Sequence, residues 1–142
     1  MSVDQILDAI PHRPPMLLVD QIVDRKEGHI TCRKTFRPEE FFFQGHYPGK
    51  AIVPGVILCE AAMQAGAILL APLIPKTTTG VPVATRMNDV KFRKAIRPGD
   101  QVEIEVQLLE RLADAFFLRA VVTCRDQVAV RFEFACMVAD VS

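Results

Sequence analysis

GVILCEAAMQAGAILLA, Gly55 to Ala71, is the stretch that decides how the rest of the chain is read. It is about as long as the shortest run that crosses a bilayer, yet it contains Glu60, Gln64 and Gly66 and is bounded by Pro54 and Pro72. Proline and glycine suit the first turn of a helix, and proline suits its end. Apolar side chains all round such a helix mean that every face is covered. The stretch therefore predicts a central helix buried inside a globular domain, and no membrane span. It also raises a question: an unpartnered buried carboxylate is costly, so folding alone gives no reason to keep Glu60.

On either side of this helix the apolar period changes. From Val81 to Phe92, and at Val102, Ile104, Val106 and Leu108, apolar and polar residues alternate, the repeat of a half-buried strand. RPGD at Arg97 to Asp100 predicts a turn between two such strands. Phe116–Thr123 and Val128–Val138 predict two more strands, joined through the polar link Arg125 to Gln127 as a hairpin. Before the helix, Met16–Val23 and Ile30–Phe36 predict strands, and Val3–Ile10 a short amphipathic helix. The order is a short helix, one or two strands, a long buried helix, then about four antiparallel strands. This is an α+β layout, a sheet curling around one helix, expected as a single domain over residues 1–142.

Composition excludes several classes of function. With 142 residues, half of them apolar, the chain can bury a substantial core. Seventeen basic and seventeen acidic residues cancel, which argues against a dedicated nucleic-acid or membrane surface. Cys32, Cys59, Cys124 and Cys136 form no CxxC pair and show no metal-ligand spacing, so free thiols in a reducing compartment are expected, with no metal and no cofactor. The N-terminus MSVDQILDAI carries two aspartates and no basic segment, unlike a secretory signal. The expected location is the cytosol.

Three motifs in fixed order, PHRPPMLLVD, FFFQGHYPGKAIVPGVILCEAAMQ and KFRKAIRPGD, resemble the (3R)-3-hydroxyacyl-acyl carrier protein dehydratases of bacterial fatty-acid synthesis, over nearly the whole chain. The central element is long and combines uncommon residues: Gly-His-aromatic-Pro, Pro-Gly-Val, then a glutamate fourteen positions after the histidine. The resemblance implies a hotdog fold, a curved antiparallel sheet wrapped around one long central helix, which agrees with the layout above. It implies that His46 is the base, Glu60 the acid and the Gly55 backbone N–H the donor to the thioester carbonyl, with Pro54, Val56 and Gln64 on the substrate side. It implies as partner an acyl carrier protein bearing the substrate. It also implies a homodimer in which His46 of one chain faces Glu60 of the other, a hexamer built as a trimer of dimers being left open.

The chemistry suits these residue types. Eliminating water from a 3-hydroxyacyl thioester needs a base for the α-proton, an acid for the departing hydroxyl and a dipole for the enolate-like charge. Imidazole is available as a base near neutrality, and a carboxyl against an apolar wall keeps a proton to give. A helix start presents free N–H groups at the positive end of its dipole, and glycine there lets a ligand approach closely. Glu60 lies five residues past Gly55, roughly 7.5 Å along a helix and well round its circumference, so one chain need not close the site. Gln64, one turn beyond Glu60 on the same face, can orient the carboxyl or a water.

Other readings of single residues stand beside these. Alone, His46 would suit a surface or capping role and Glu60 an ion pair with an arginine. Cys59 next to Glu60 suggests core packing rather than a nucleophile. His12 and His29 lack metal-ligand neighbours, and a structural hydrogen bond is the expectation for His12. Arg86, Lys91, Arg93, Lys94 and Arg97 form a basic group against Asp89 and Asp100. It is a solvated face or, as the resemblance implies, a dock for the acidic carrier through Lys91, Arg93, Lys94 and Arg97. The chain departs from the family pattern at Arg86-Met87-Asn88, where Gly-Ile-Asp is usual, and at Lys94-Ala95, where Arg-Pro is usual. Both changes leave acyl length and the choice of carrier protein or coenzyme A open. A hotdog thioesterase and a non-catalytic acyl-binding hotdog are the rival functions.

Overall fold

The computed structural model describes residues 3–47, 49–75 and 80–140. Helix α1 (Val3–Ala9) leads to strands β1 (Gln21–Lys26) and β2 (His29–Thr35), a 3-10 turn (Phe41–Phe43), helix α2 (Gly55–Leu70), a second 3-10 turn (Ala71–Leu73), and strands β3 (Val81–Phe92), β4 (Gln101–Leu112), β5 (Ala115–Cys124) and β6 (Gln127–Ala139). Among the described residues all six strands form one antiparallel sheet in the order β1-β2-β4-β5-β6-β3. The sheet curls round α2, which touches β2 through β6. This is the expected hotdog.

The alternation seen in the sequence explains which face curls inward. Val102, Ile104 and Val106 of β4, and Phe116, Leu118, Ala120 and Val122 of β5, are buried against the helix, while Gln101, Glu103, Glu105 and Gln107 between them are exposed. The helix meets this wall with small residues, Ala61, Ala62, Ala65 and Gly66, all buried. A Cβ on Gly66 would stand 2.8 Å from Phe134 Cζ, so the glycine sets how closely helix and sheet approach. The run Gly55–Leu73 has the length and hydropathy of a membrane span, but here it is the core helix enclosed by the sheet.

Two turn readings come out differently. Arg125 and Asp126, both in the left-handed region (φ 50° and 63°), close β5 and β6 as a two-residue hairpin, with Gln127 already paired to Cys124. Arg97 to Asp100 does form a turn, closed by Asp100 N to Arg97 O (3.0 Å) and Arg97 N to Asp100 Oδ2 (2.9 Å). It joins strands that are not neighbours, however, since β3 pairs with β6 and β4 lies between β2 and β5. The chain crosses from one sheet edge to the middle, and Val53 N to Ile96 O (2.7 Å) ties that crossing to the start of α2.

The strand expected at Met16–Val23 is corrected to Gln21–Lys26. Leu18 and Val19 are buried because the segment lies over α2, where Gln64 takes the place of a strand partner: Leu18 N donates to Gln64 Oε1 (2.8 Å), and Gln64 Nε2 donates to Met16 O (2.7 Å). An apolar run that covers a helix and one that pairs in a sheet look alike in sequence.

Candidate active site

The loop bearing His46 is held at both ends. Phe42 and Phe43 are buried, and Glu40 just before them accepts from Lys34 Nζ (2.6 Å), a lysine only 2% exposed. Tyr47 and Gly49 then take left-handed conformations (φ 54° and 86°), turning the chain sharply at the histidine; Pro48 of the motif lies outside the described residues. His46 Nδ1 is 3.1 Å from Ile52 O. A carbonyl only accepts, so in the neutral ring Nδ1 carries the proton and Nε2 keeps the lone pair. The structure thus leaves Nε2 as the basic atom.

Gly55 begins α2 because Pro54 is extended (φ −57°, ψ 135°) and its carbonyl accepts from Ile57 N (2.9 Å) and Leu58 N (3.4 Å). As the first helical residue, Gly55 has no intrahelical acceptor for its N–H. A Cβ there would meet the Phe92 ring at 2.6 Å, so glycine lets the ring lie across the helix start in this position. His46, Gly55, Val56, Phe92, Arg93 and Lys94 line a cavity of about 510 Å³. Pro54 supports it without lining it.

Glu60 is placed elsewhere. It does not line that cavity, and among the described residues no hydrogen bond or ion pair joins it to His46. Its side chain is 29% exposed, not sealed in the core. Gln64 Nε2 donates to its Oε2 at 2.9 Å, while Gln64 itself is 1% exposed with its remaining polar groups bonded to the Met16–Leu18 segment. The amide is fully used within the protein, which gives it the orienting role rather than a direct hold on substrate. One chain thus brings together a base and a backbone donor, and separately presents an oriented carboxyl.

The basic group divides in the same way. Arg93 and Lys94 line the His46 cavity, with Lys94 Nζ donating to Gln127 Oε1 (2.8 Å). Lys91 and Arg93 also border a cleft of about 310 Å³ on the outer face of the sheet with Arg119, Arg131, Asp89 and Glu133. Arg97 lines neither. Arg131 escaped the sequence reading because only the register, Lys91 opposite Arg131, sets them side by side. Arg86, Met87 and Asn88 lie in β3 between two bulges, and none of them lines the His46 cavity. His12, expected to make a structural hydrogen bond, makes none through its ring among the described residues: Nδ1 has no partner and Nε2 stands 3.7 Å from Glu60 Oε2. Burial pushes the Cys59 thiol up to about 11, too high for a thiolate nucleophile near neutrality. Among the described residues the four cysteines are free, and no three His, Cys, Asp or Glu side chains converge as metal ligands.

A curved sheet around one helix, with a histidine facing the helix start, defines a hotdog protein with a concave site at the helix N-terminus. The chain belongs to the FabA-like family, whose domain model matches residues 10–133. Within that family it is similar over nearly its full length to proteins named 3-hydroxyacyl-[acyl-carrier-protein] dehydratase FabZ. The one from a Caulobacter species is 37% identical over 142 residues, 99% of this chain and 87% of the relative. The one from Petrotoga mobilis is 34% identical over 133 residues, 94% of each. The resemblance drawn from the motifs is borne out. Among solved structures, a chain of the dehydratase heterocomplex ApeI:P from Xenorhabdus doucetiae superposes with a TM-score of 0.79 at 18% identity, covering 98% of this chain and 91% of that one. The E. coli PaaI protein gives 0.64 at 15%, covering 82% and 81%. At these identities the two share the fold.

Proposed function

We propose that this chain is a hydro-lyase that converts (3R)-3-hydroxyacyl-acyl carrier protein to the trans-2-enoyl thioester in bacterial fatty-acid synthesis, as a single hotdog domain in the cytosol. The observation that carries the reading is the pairing, in one cavity, of His46 and the Gly55 N–H, with no hydrogen bond to His46 Nε2 or to that N–H among the described residues. His46 Nε2 takes the α-proton, and its ring is held for this by the Ile52 carbonyl. The Gly55 N–H, at the positive end of α2, holds the thioester oxygen as charge builds on it. Glu60 gives its proton to the departing hydroxyl, so that water leaves while His46 gains the proton lost from carbon. Similarity to dehydratases over almost the whole chain supports the same assignment.

Glu60 lies off the His46 cavity, so the site is completed by a second copy. A homodimer with two shared sites satisfies this, each His46 facing the partner subunit's glutamate, and a trimer of such dimers is compatible with it. The β3 edge supports the reading: it ends the sheet, and a long open edge strand is suited to pairing with a partner. Arg93, Lys94 and Lys91, beside the cavity and the adjoining cleft, dock the acidic carrier, whose charge they complement.

Hydration of an enoyl thioester, followed by loss of its absorbance, tests the reaction, and a thiol-reactive dye separates it from thioester cleavage. Absorbance loss without free thiol is expected; thiol release would make the protein a thioesterase, and neither signal an acyl-binding protein. His46→Ala, folded, should lose about two to four orders of magnitude in turnover. Mixing it with inactive Glu60→Gln tests the shared site. After random subunit exchange half the dimers are mixed and half of their sites are intact, so about a quarter of wild-type activity returns. No recovery under exchange proven with tagged subunits would place both residues in one chain's site.

A further inference from the structure

Among the described residues Glu60 has two polar neighbours on one oxygen and none on the other. Gln64 Nε2 donates to Oε2 at 2.9 Å, and His12 Nε2 stands 3.7 Å from the same atom. Among the described residues Oε1 has no polar partner. Contacts at a catalytic group commonly stand long without substrate and tighten when it binds.

The state of the His12 ring follows from its other nitrogen. Nδ1 is buried and has no partner among the described residues. A buried N–H without an acceptor is costlier than a lone pair without a donor, so the ring's proton belongs on Nε2, facing Glu60. The ring is held from its backbone: Arg13 Nη1 donates to Ile10 O (2.8 Å) and His12 O (2.7 Å), and Nη2 to Leu7 O (3.1 Å), fastening the segment to the end of α1. Two N–H groups are thus directed at Oε2, the one from α2 bonded to it and the one from the Pro-rich segment standing just beyond hydrogen-bond distance.

A carboxylic acid carries its hydroxyl on the oxygen that is not already accepting from donors. We propose that His12 is a positioning residue for the proton donor: together with Gln64 it reserves Glu60 Oε2 as an acceptor, so that Oε1 bears the proton and delivers it to the leaving hydroxyl. Once the proton has gone, the same two donors face the carboxylate that remains. The role in turnover rests on the dehydratase reading above; the placement of the proton does not.

Two variants and two readouts test this. His12→Phe keeps a ring of similar size and removes the donor, and His12→Gln restores an N–H at comparable reach. In enoyl-thioester hydration His12→Phe is expected to lose about tenfold in kcat with KM unchanged, the effect of one lost hydrogen bond to the reacting group, and His12→Gln to recover most of it. Wild-type kcat in His12→Phe, equal losses in both variants, a loss confined to KM, or unfolding of both variants would each overturn the role. The second readout needs no activity. The carbonyl stretch of Glu60, recorded at a pH acid enough to protonate the carboxyl and identified as the infrared band absent from Glu60→Gln, should move to higher frequency in His12→Phe and stay in place in His12→Gln. An unmoved band overturns the proposal whatever the enzyme does. A moved band in a protein that hydrates no enoyl thioester would instead overturn the dehydratase reading and leave the proton's placement standing.

Discussion

Replacing Gln64 by leucine removes a side chain that fastens the Met16–Leu18 segment to α2 and orients Glu60. Three bonds go at once: Leu18 N to Oε1 at 2.8 Å, Nε2 to Met16 O at 2.7 Å and Nε2 to Glu60 Oε2 at 2.9 Å. Their losses differ in kind. The bond to the Met16 carbonyl is only part-buried, so its loss costs less. Leu18 is fully buried, so its N–H is left without a partner at a cost of about 1–3 kcal/mol. Leucine returns roughly 1 kcal/mol through added apolar burial, so the net loss centres on about 1 kcal/mol and reaches about 2 at most. For a chain of this size about 1 kcal/mol lowers Tm by roughly 2–4 °C, measured at one protein concentration because an oligomer's Tm depends on it. Turnover should fall more than stability suggests, by about ten- to a hundredfold, because a misplaced proton donor acts directly on the barrier. Calorimetry and enoyl-thioester hydration measure the two effects on the same sample. An unchanged Tm would refute the claim that Gln64 holds the segment, and an unchanged kcat would refute the claim that it aims Glu60.

The two helix glycines should respond oppositely to the same added methyl. Gly66→Ala presses on buried Phe134 and should cost about 1–2 kcal/mol after its gain in helix propensity, read as a lower urea midpoint. Gly55→Ala presses on Phe92, which is 54% exposed and free to turn aside, so stability should hold while kcat/KM falls as the ring moves in the His46 cavity. Lys34→Met leaves Glu40 and Asp20 without their buried cation and should destabilise by about 2–3 kcal/mol, less than for a sealed pair because both carboxylates reach solvent; Glu40→Leu in the same chain should recover part of the loss. Burial pushes Cys32 up to about 12 and Cys59 and Cys136 to about 11. Unfolding frees these thiols to ionise near 9, so their contribution to stability is full below pH 9 and declines as pH rises toward 11–12. Denaturation midpoints between pH 8 and 11 should fall, and changing the three cysteines to alanine should flatten the decline.

Local pattern was enough for much of this molecule. The period of two in β4 and β5, the apolar helix between Pro54 and Pro72 and the short polar link of the last hairpin depend on neighbours within a few residues, whereas β3 forms where expected but its burial does not alternate. Those elements appear with bounds close to the ones expected. His46, Gly55 and Glu60 were legible because their types and spacing carry chemistry by themselves. What spacing could not reveal is partnership across the chain. Met16–Asp20 reads as a strand because apolar burial is the same signal whether a segment pairs in a sheet or lies over a helix, and only Gln64, forty-six residues beyond Leu18, distinguishes the two. The crossing from β3 to β4 looks like a hairpin turn until the strand order places them apart. Lys91 meets Arg131 only through the β3–β6 register, and His12 reaches Glu60 only because the sheet wraps the Pro-rich segment back over α2. Local conformational preference is written into short stretches of sequence; which distant groups share a site is decided by the closure of the whole sheet around its helix.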